Sequence, residues 1–196
     1  MKFYYKDLEL EIPANIYYPR EDSMLMLDIL EKTDLRGLKV LDMGTGSGIL
    51  AVAAAKKGAL VLAVDIDKNA VEIAWKNAAA NNTVIRYRCS DLFEKISERF
   101  DLIIFNAPYL PADDTRIQEL PQWYGGPNGR EIIERFLRSA KDFLTEHGKI
   151  LLLISTITGE KEVKNILDKE GFGWVAIKRE KIPWEELVVI AARINI

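Results

Sequence analysis

From residue 39 onward, short apolar runs alternate with longer segments in which apolar positions recur every three or four residues. The runs are read as strands at Lys39–Met43, Leu60–Val64, Val84–Cys89, Asp101–Phe105, Lys149–Ser155, Trp174–Arg179 and Leu187–Ala192, the last two as an antiparallel pair. The longer segments predict helices over Gly48–Lys57, closed by Gly58, over Lys68–Ala80, ending at Asn81-Asn82, over Asn128–Leu144, and over Glu160–Glu170, closed by Gly171. Before them, residues 3–12 alternate as a short strand or hairpin. A Tyr- and Pro-rich loop then leads to a helix that Asp22 or Ser23 can cap. That helix carries Leu25, Leu27, Ile29 and Leu30 on its apolar face and stops near Gly37. Strand–helix alternation of this kind makes a parallel sheet with helices on both faces. The stretch 107–127 is irregular, and a loop that long in a compact domain is usually functional.

Composition narrows the chemistry. At 196 residues, 48% hydrophobic and 29% charged, the chain fits a single domain with a sound core, residues 1–36 forming an extension packed on it. The single cysteine, Cys89, excludes an internal disulfide, and with the single histidine, His147, it excludes an ordinary zinc site within one chain. Cys89 is read as a structural thiol and His147 as a helix C-terminal residue, which argues against Ser-His-Asp and Cys-His catalysis. A net charge of −3 gives no global attraction to nucleic acid. Neither a signal-peptide core nor an apolar run of membrane-spanning length occurs in the sequence, and a cytoplasmic location is expected.

The segment Val40-Leu41-Asp42-Met43-Gly44-Thr45-Gly46-Ser47-Gly48 joins the first core strand to a helix, and Asp65 follows at the end of the next strand. In a parallel sheet both fall at the C-terminal edge, where Asp65 can accept from ribose hydroxyls. The glycines are spaced Gly-x-Gly-x-Gly rather than Gly-x-Gly-x-x-Gly, and Asp42 just before them would repel a pyrophosphate but suit a cation. S-adenosylmethionine has a sulfonium, an ammonium and no phosphate. The third strand ends near Asp91, which can accept from an adenine amino group, with Leu92 along its ring.

The fourth strand runs into Phe105-Asn106-Ala107-Pro108-Tyr109-Leu110-Pro111. This resembles the Asn-Pro-Pro-Tyr motif of class I S-adenosylmethionine-dependent methyltransferases that act on planar nitrogens. Tyr17-Tyr18-Pro19-Arg20-Glu21-Asp22-Ser23 and Gly125-Gly126-Pro127-Asn128-Gly129 resemble two further segments of the HemK family of glutamine methyltransferases, in its short archaeal and eukaryotic branch. The resemblance implies a Rossmann-like sheet of seven strands with one antiparallel. It implies cofactor contacts from Tyr17, Pro19, Ser23, Asp42, Gly44, Gly46, Gly48, Asp65, Ile66, Asp91, Leu92 and Asn106. The catalytic segment would be Asn106, Ala107, Pro108 and Tyr109: two carbonyl acceptors for the substrate amide, a rigid turn and an aromatic face. Ala107 departs from the motif, keeping the carbonyl but losing the fixed φ of proline.

The implied acceptor is the glutamine side chain of the Gly-Gly-Gln loop in the class 1 translation termination factor. The implied partner is a small zinc-binding activator, expected on an unpaired edge strand at Val84–Cys89. Trp123 and Tyr124 are candidates to line the substrate mouth, Arg116 and Arg130 to meet the substrate backbone, and Trp174 and Trp184 to lie in the core or at an interface. Competing readings are an RNA or DNA amino-methyltransferase, a lysine methyltransferase, and a catalytically silent scaffold.

Overall fold

The computed structural model describes residues 1–118 and 121–195, so positions 119–120 of the irregular stretch lie outside it. A small antiparallel hairpin, β1 (Lys2–Tyr5) and β2 (Leu8–Glu11), precedes helix α1 (Glu21–Lys32). Then follow β3 (Lys39–Met43), α2 (Ile49–Lys56), β4 (Leu60–Asp65), α3 (Lys68–Ala80), β5 (Arg86–Cys89) and β6 (Phe100–Asn106). Helix α4 (Glu131–Ala140), β7 (Leu144–Ser155), α5 (Glu160–Lys169), β8 (Phe172–Ile182) and β9 (Glu185–Ile194) complete the chain.

The seven strands β3–β9 form one sheet in the order β5-β4-β3-β6-β7-β9-β8, and β9 runs antiparallel to both its neighbours. This is the class I Rossmann-like arrangement that the sequence implies. Period-two alternation sorts each strand between two cores. Val40, Ala63, Leu102, Ile104, Leu151, Leu153 and Val189 face the layer holding α1 and α2. Leu41, Val64, Ile103, Phe105, Leu152 and Val188 face the layer holding α4 and α5. Strand order reverses between β3 and β6, which opens a crevice beyond their C-terminal ends.

Several boundaries differ from the sequence reading. Helix α1 is capped by Arg20, and Asp22 and Ser23 lie buried within its first turn. Helix α2 starts at Ile49 because Gly48 is left-handed. Strand β5 starts at Arg86, leaving Val84 and Ile85 ahead of it, although β5 is the sheet edge as expected. Helix α4 starts three residues late, since Gly126 and Gly129 hold a turn at positive φ and Glu131 accepts from the Asn128 backbone N–H. It also ends earlier than expected. A 3-10 turn at Lys141–Phe143 follows it, and β7 begins at Leu144 to pair with Phe100. His147 is therefore an exposed residue of β7, near the N-terminal edge of the sheet and far from the crevice. Trp184 belongs to no core, being fully exposed. Trp174 is half-buried beside α5, where its Nε1 donates to Asp168 and Lys164 lies over its ring. No described helix is long and apolar enough to cross a membrane.

The N-terminal hairpin is tied down by two asparagines of α3. Asn77 accepts from Glu11 N–H (2.9 Å) and donates to the carbonyls of Glu11 (3.1 Å) and Ser47 (2.9 Å). Asn81 pairs in the same way with the backbone of Glu9. Each buried amide stands in for a second neighbouring strand, on the edge of β2 that β1 leaves open. Asn77→Ala strands three backbone groups at once. It is expected to cost about 2–3 kcal/mol, read as a lower urea midpoint with unchanged slope.

Candidate active site

The loop after β3 places Gly44, Gly46 and Gly48 at positive φ. Its turn is fixed by Thr45 N–H to Val64 O at 2.9 Å and by the Gly46 N–H donating to Asp65 Oδ2, also 2.9 Å. The other Asp65 oxygen accepts from Asp67 N–H at 2.9 Å. Asp65 is thus held rigid at the tip of β4 with lone pairs left for a ligand. Burial pushes its carboxyl above the ordinary range, against those backbone hydrogen bonds.

A cavity of about 460 Å³ lies at the strand-order reversal. Tyr17, Ser23, Gly44, Gly46, Asp65, Ile66, Asp91, Leu92, Asn106, Ala107, Pro108 and Tyr109 all line it. The structure therefore gathers into one space most of the residues singled out from sequence, from five separate segments. Leu92 reaches its place at φ +44, an unusual conformation for a leucine. Asp91 is tethered by an ion pair with Arg135 at 2.7 Å.

Three expected contacts fall outside the lining: Pro19, Asp42 and Gly48. Gly48 instead abuts Ala74, whose Cα would lie 2.9 Å from an added Cβ, so it is the contact between the start of α2 and α3. Asp42 stands one layer behind the loop because its register neighbours, Ala63 and Ile104, face the α1–α2 core. It accepts from Thr45 Oγ1 at 2.6 Å, and so acts on the loop rather than directly on a ligand. Burial pushes its carboxyl up to about 7, opposed by the Thr45 hydrogen bond and reinforced by the charge of Asp65.

Sequence reasoning missed Asp22 as a site residue. It lies on the first turn of α1 at 4% exposure, accepting from the Tyr17 hydroxyl and from Ser23 N–H. Burial raises its pKa, while the Tyr17 hydroxyl, Ser23 and the Asn106 amide pull it back down. Asn106 Oδ1 is buried without a hydrogen-bond partner among the described residues. The signal lay in the quoted Arg20-Glu21-Asp22-Ser23 segment, where Asp22 was assigned to capping alone.

The segment from Gly125 to Gly129 shapes the catalytic loop. A Cβ on Gly125 would sit 2.6 Å from Pro108 O, and one on Gly129 2.4 Å from Tyr109 O. These glycines are required because the two backbones touch. Leu110 N–H donates to Trp123 O (2.8 Å) and Gly125 N–H to Leu110 O (2.9 Å), which closes the strap. Trp123, 8% exposed, both lines the cavity and packs against Tyr17 and Tyr109, with the Arg20 guanidinium 5.1 Å over its ring. Tyr124 is more exposed, at 40%. Arg116 and Arg130 do not face the cavity. Arg116 pairs with Asp114 and Glu185, and Arg130 donates to Thr158 O. Cys89 is partly buried, its thiol donating to Ile66 O.

This fold, with a glycine loop, a ribose-height carboxylate and a carbonyl-lined tip on the fourth strand of the core, defines a class I methyltransferase. The methyltransferase small-domain family matches residues 21–181, and the chain belongs to it. A Methanocaldococcus jannaschii protein named as a protein N5-glutamine methyltransferase is 41% identical, covering 94% of this chain and 95% of its own. Human methyltransferase HEMK2 is 30% identical, covering 85% of each. Among solved structures, a chain of the E. cuniculi Mtq2–Trm112 complex, described as responsible for methylation of the eRF1 translation termination factor, matches with a TM-score of 0.74. It is 30% identical and is covered over 99% of its length, against 92% of this chain. The chain is an S-adenosylmethionine-dependent methyltransferase of the HemK/Mtq2 type.

A carboxyl whose folded pKa lies above its ordinary 3.8 adds stability below that value and loses it as pH rises through the folded value, here about 7. Asp42→Asn cannot ionise. Wild type should therefore weaken relative to this variant between pH 5 and pH 8 by on the order of 1–3 kcal/mol. Urea midpoints at both pH values measure it, and a constant difference would contradict the assignment.

Proposed function

We propose that this enzyme methylates the side-chain amide of the glutamine in the Gly-Gly-Gln loop of the class 1 translation termination factor. The observation that carries this reading is Asn106 Oδ1, a buried acceptor with no hydrogen-bond partner among the described residues, in the cavity wall. Buried acceptors in folded proteins are almost always satisfied, so an orphan in a cavity calls for a donor from a ligand. A primary amide supplies two N–H donors, one for Asn106 Oδ1 and one for the backbone carbonyl of Ala107.

When bound, S-adenosylmethionine supplies a methyl group made electrophilic by a sulfonium. The protein supplies orientation. An amide nitrogen is a poor nucleophile because its lone pair is delocalised, so holding it in line carries much of the catalysis. The two carbonyl acceptors also favour the positive charge that develops on nitrogen. Asp22 shares the cavity wall with Asn106, and Pro108 with the Gly125–Gly129 strap holds Ala107 in place. Asp65 suits the ribose hydroxyls, and Ile66, Leu92 and Asp91 suit the adenine. Tyr17 and Ser23 suit the donor's methionine side, and Pro19, outside the lining, shapes the loop between them. The reading places the enzyme in the cytoplasm, where termination factors act.

A small zinc-binding activator fits the free edge of β5. Val84 (93% exposed) and Ile85 lead into that strand, and Trp75 (57% exposed) lies on the adjoining helix α3. The Trm112 partner of the E. cuniculi relative is consistent with this.

Transfer of labelled methyl to a termination factor, and none to a version carrying Gly-Gly-Ala, is the expected result. Label on bulk RNA instead would move the enzyme to the base-modifying class. Asn106→Ala should lower turnover by about 100-fold or more while leaving cofactor affinity within a few-fold. Ile85→Pro should abolish co-elution with the activator in gel filtration, and an intact complex would count against docking at this edge.

A further inference from the structure

The hairpin between β8 and β9 turns through Pro183 and Trp184, with Ile182 paired to Glu185. Trp184 sits at φ +76 and is 99% exposed. Proline followed by a residue at positive φ is the pattern of a type II turn, where glycine or asparagine is the unstrained choice. The position holds instead the largest side chain, in a disfavoured conformation and making no use of it within the fold. A strained backbone kept at a side chain that packs on nothing within the described fold points to a task outside the chain.

Location indicates the task. Leu187 pairs with Ser155, the last residue of β7, so Glu185 and the turn before it project beyond the C-terminal edge of the sheet. Asn106 stands at that same edge, paired with Leu153. The tip is also fastened to the catalytic region. Glu185, 8% exposed, accepts from Ser155 Oγ and pairs at 2.7 Å with Arg116, which belongs to the segment following the Asn106–Tyr109 loop.

We propose that Trp184 is an anchor that docks the folded surface of the protein substrate beside the segment entering the cavity. This rests on the protein-substrate reading above. The charges around the tip favour a protein over a nucleic acid. Lys178 is paired with Asp28, Arg179 with Glu160 and Glu186, and Arg116 with Asp114 and Glu185. Lys181 and Glu180, nearer the turn, offset each other in sign, and an exposed tryptophan among charges so balanced is the composition of a protein–protein hot spot.

The test compares the full chain with Trp184→Ala and Trp184→Gly in steady-state methyl transfer to the folded termination factor. Trp184→Gly relieves the backbone strain and guards against a folding artefact. Both variants should raise KM for the factor about tenfold or more with kcat nearly retained, and keep the wild-type affinity for S-adenosylmethionine. An unchanged KM in both variants, on a factor that wild type does methylate, overturns the docking role alone. So does a fall in kcat without a rise in KM, or a wild-type dimer that dissolves in Trp184→Ala, which would give the surface to a second copy of the chain. No transfer to the factor by wild type overturns the substrate reading and the anchor with it.

Discussion

An amide oxygen buried without a donor costs about 1–3 kcal/mol, and the Asn106 oxygen is held in that condition. The surrounding structure is arranged to prevent its escape. Phe105 anchors the end of β6 in the α4–α5 core, and Met43 of β3 pairs alongside it. Asp22 shares the cavity wall with Asn106, held in turn by the Tyr17 hydroxyl and Ser23 N–H. Gly125 and Gly129 press on the carbonyls of Pro108 and Tyr109 from behind. On the function proposed above, an acceptor held in this way meets a substrate amide with no reorganisation at the moment of reaction.

The same logic explains the other carboxylates. Asp65 is rigid because two backbone N–H groups hold it, and Asp91 because Arg135 does. Asp42 is buried behind the glycine loop, with its charge disfavoured until something positive occupies the crevice. A cationic donor in that crevice gains from its field without touching it.

The strap from 107 to 127 connects the site to the periphery. Trp123 joins the N-terminal loop to Tyr109, while Arg116 joins the strap to β9 through Glu185. Trp123 both packs between Tyr17 and Tyr109 and lines the cavity.

The sequence by itself determined the strand–helix alternation and the positions of the glycine loop, Asp65, Asp91 and Asn106, because these depend on local periodicity and on motif spacing, while the edge position of β5 followed from the family resemblance. Boundaries shifted where tertiary contacts outweighed local propensity. Leu144 left its helix to pair with Phe100, and Glu131 rather than Asn128 opened α4 because two glycines had to turn first. Only the tertiary structure decided that Asp42 stands behind the loop, that Gly48 serves α3 and that Asp22 joins the cavity wall. It likewise decided that Arg116 is spent on Glu185 and that Trp184 projects into solvent. Each of those depends on which face a side chain takes and on a partner far away in sequence, and a linear pattern carries neither.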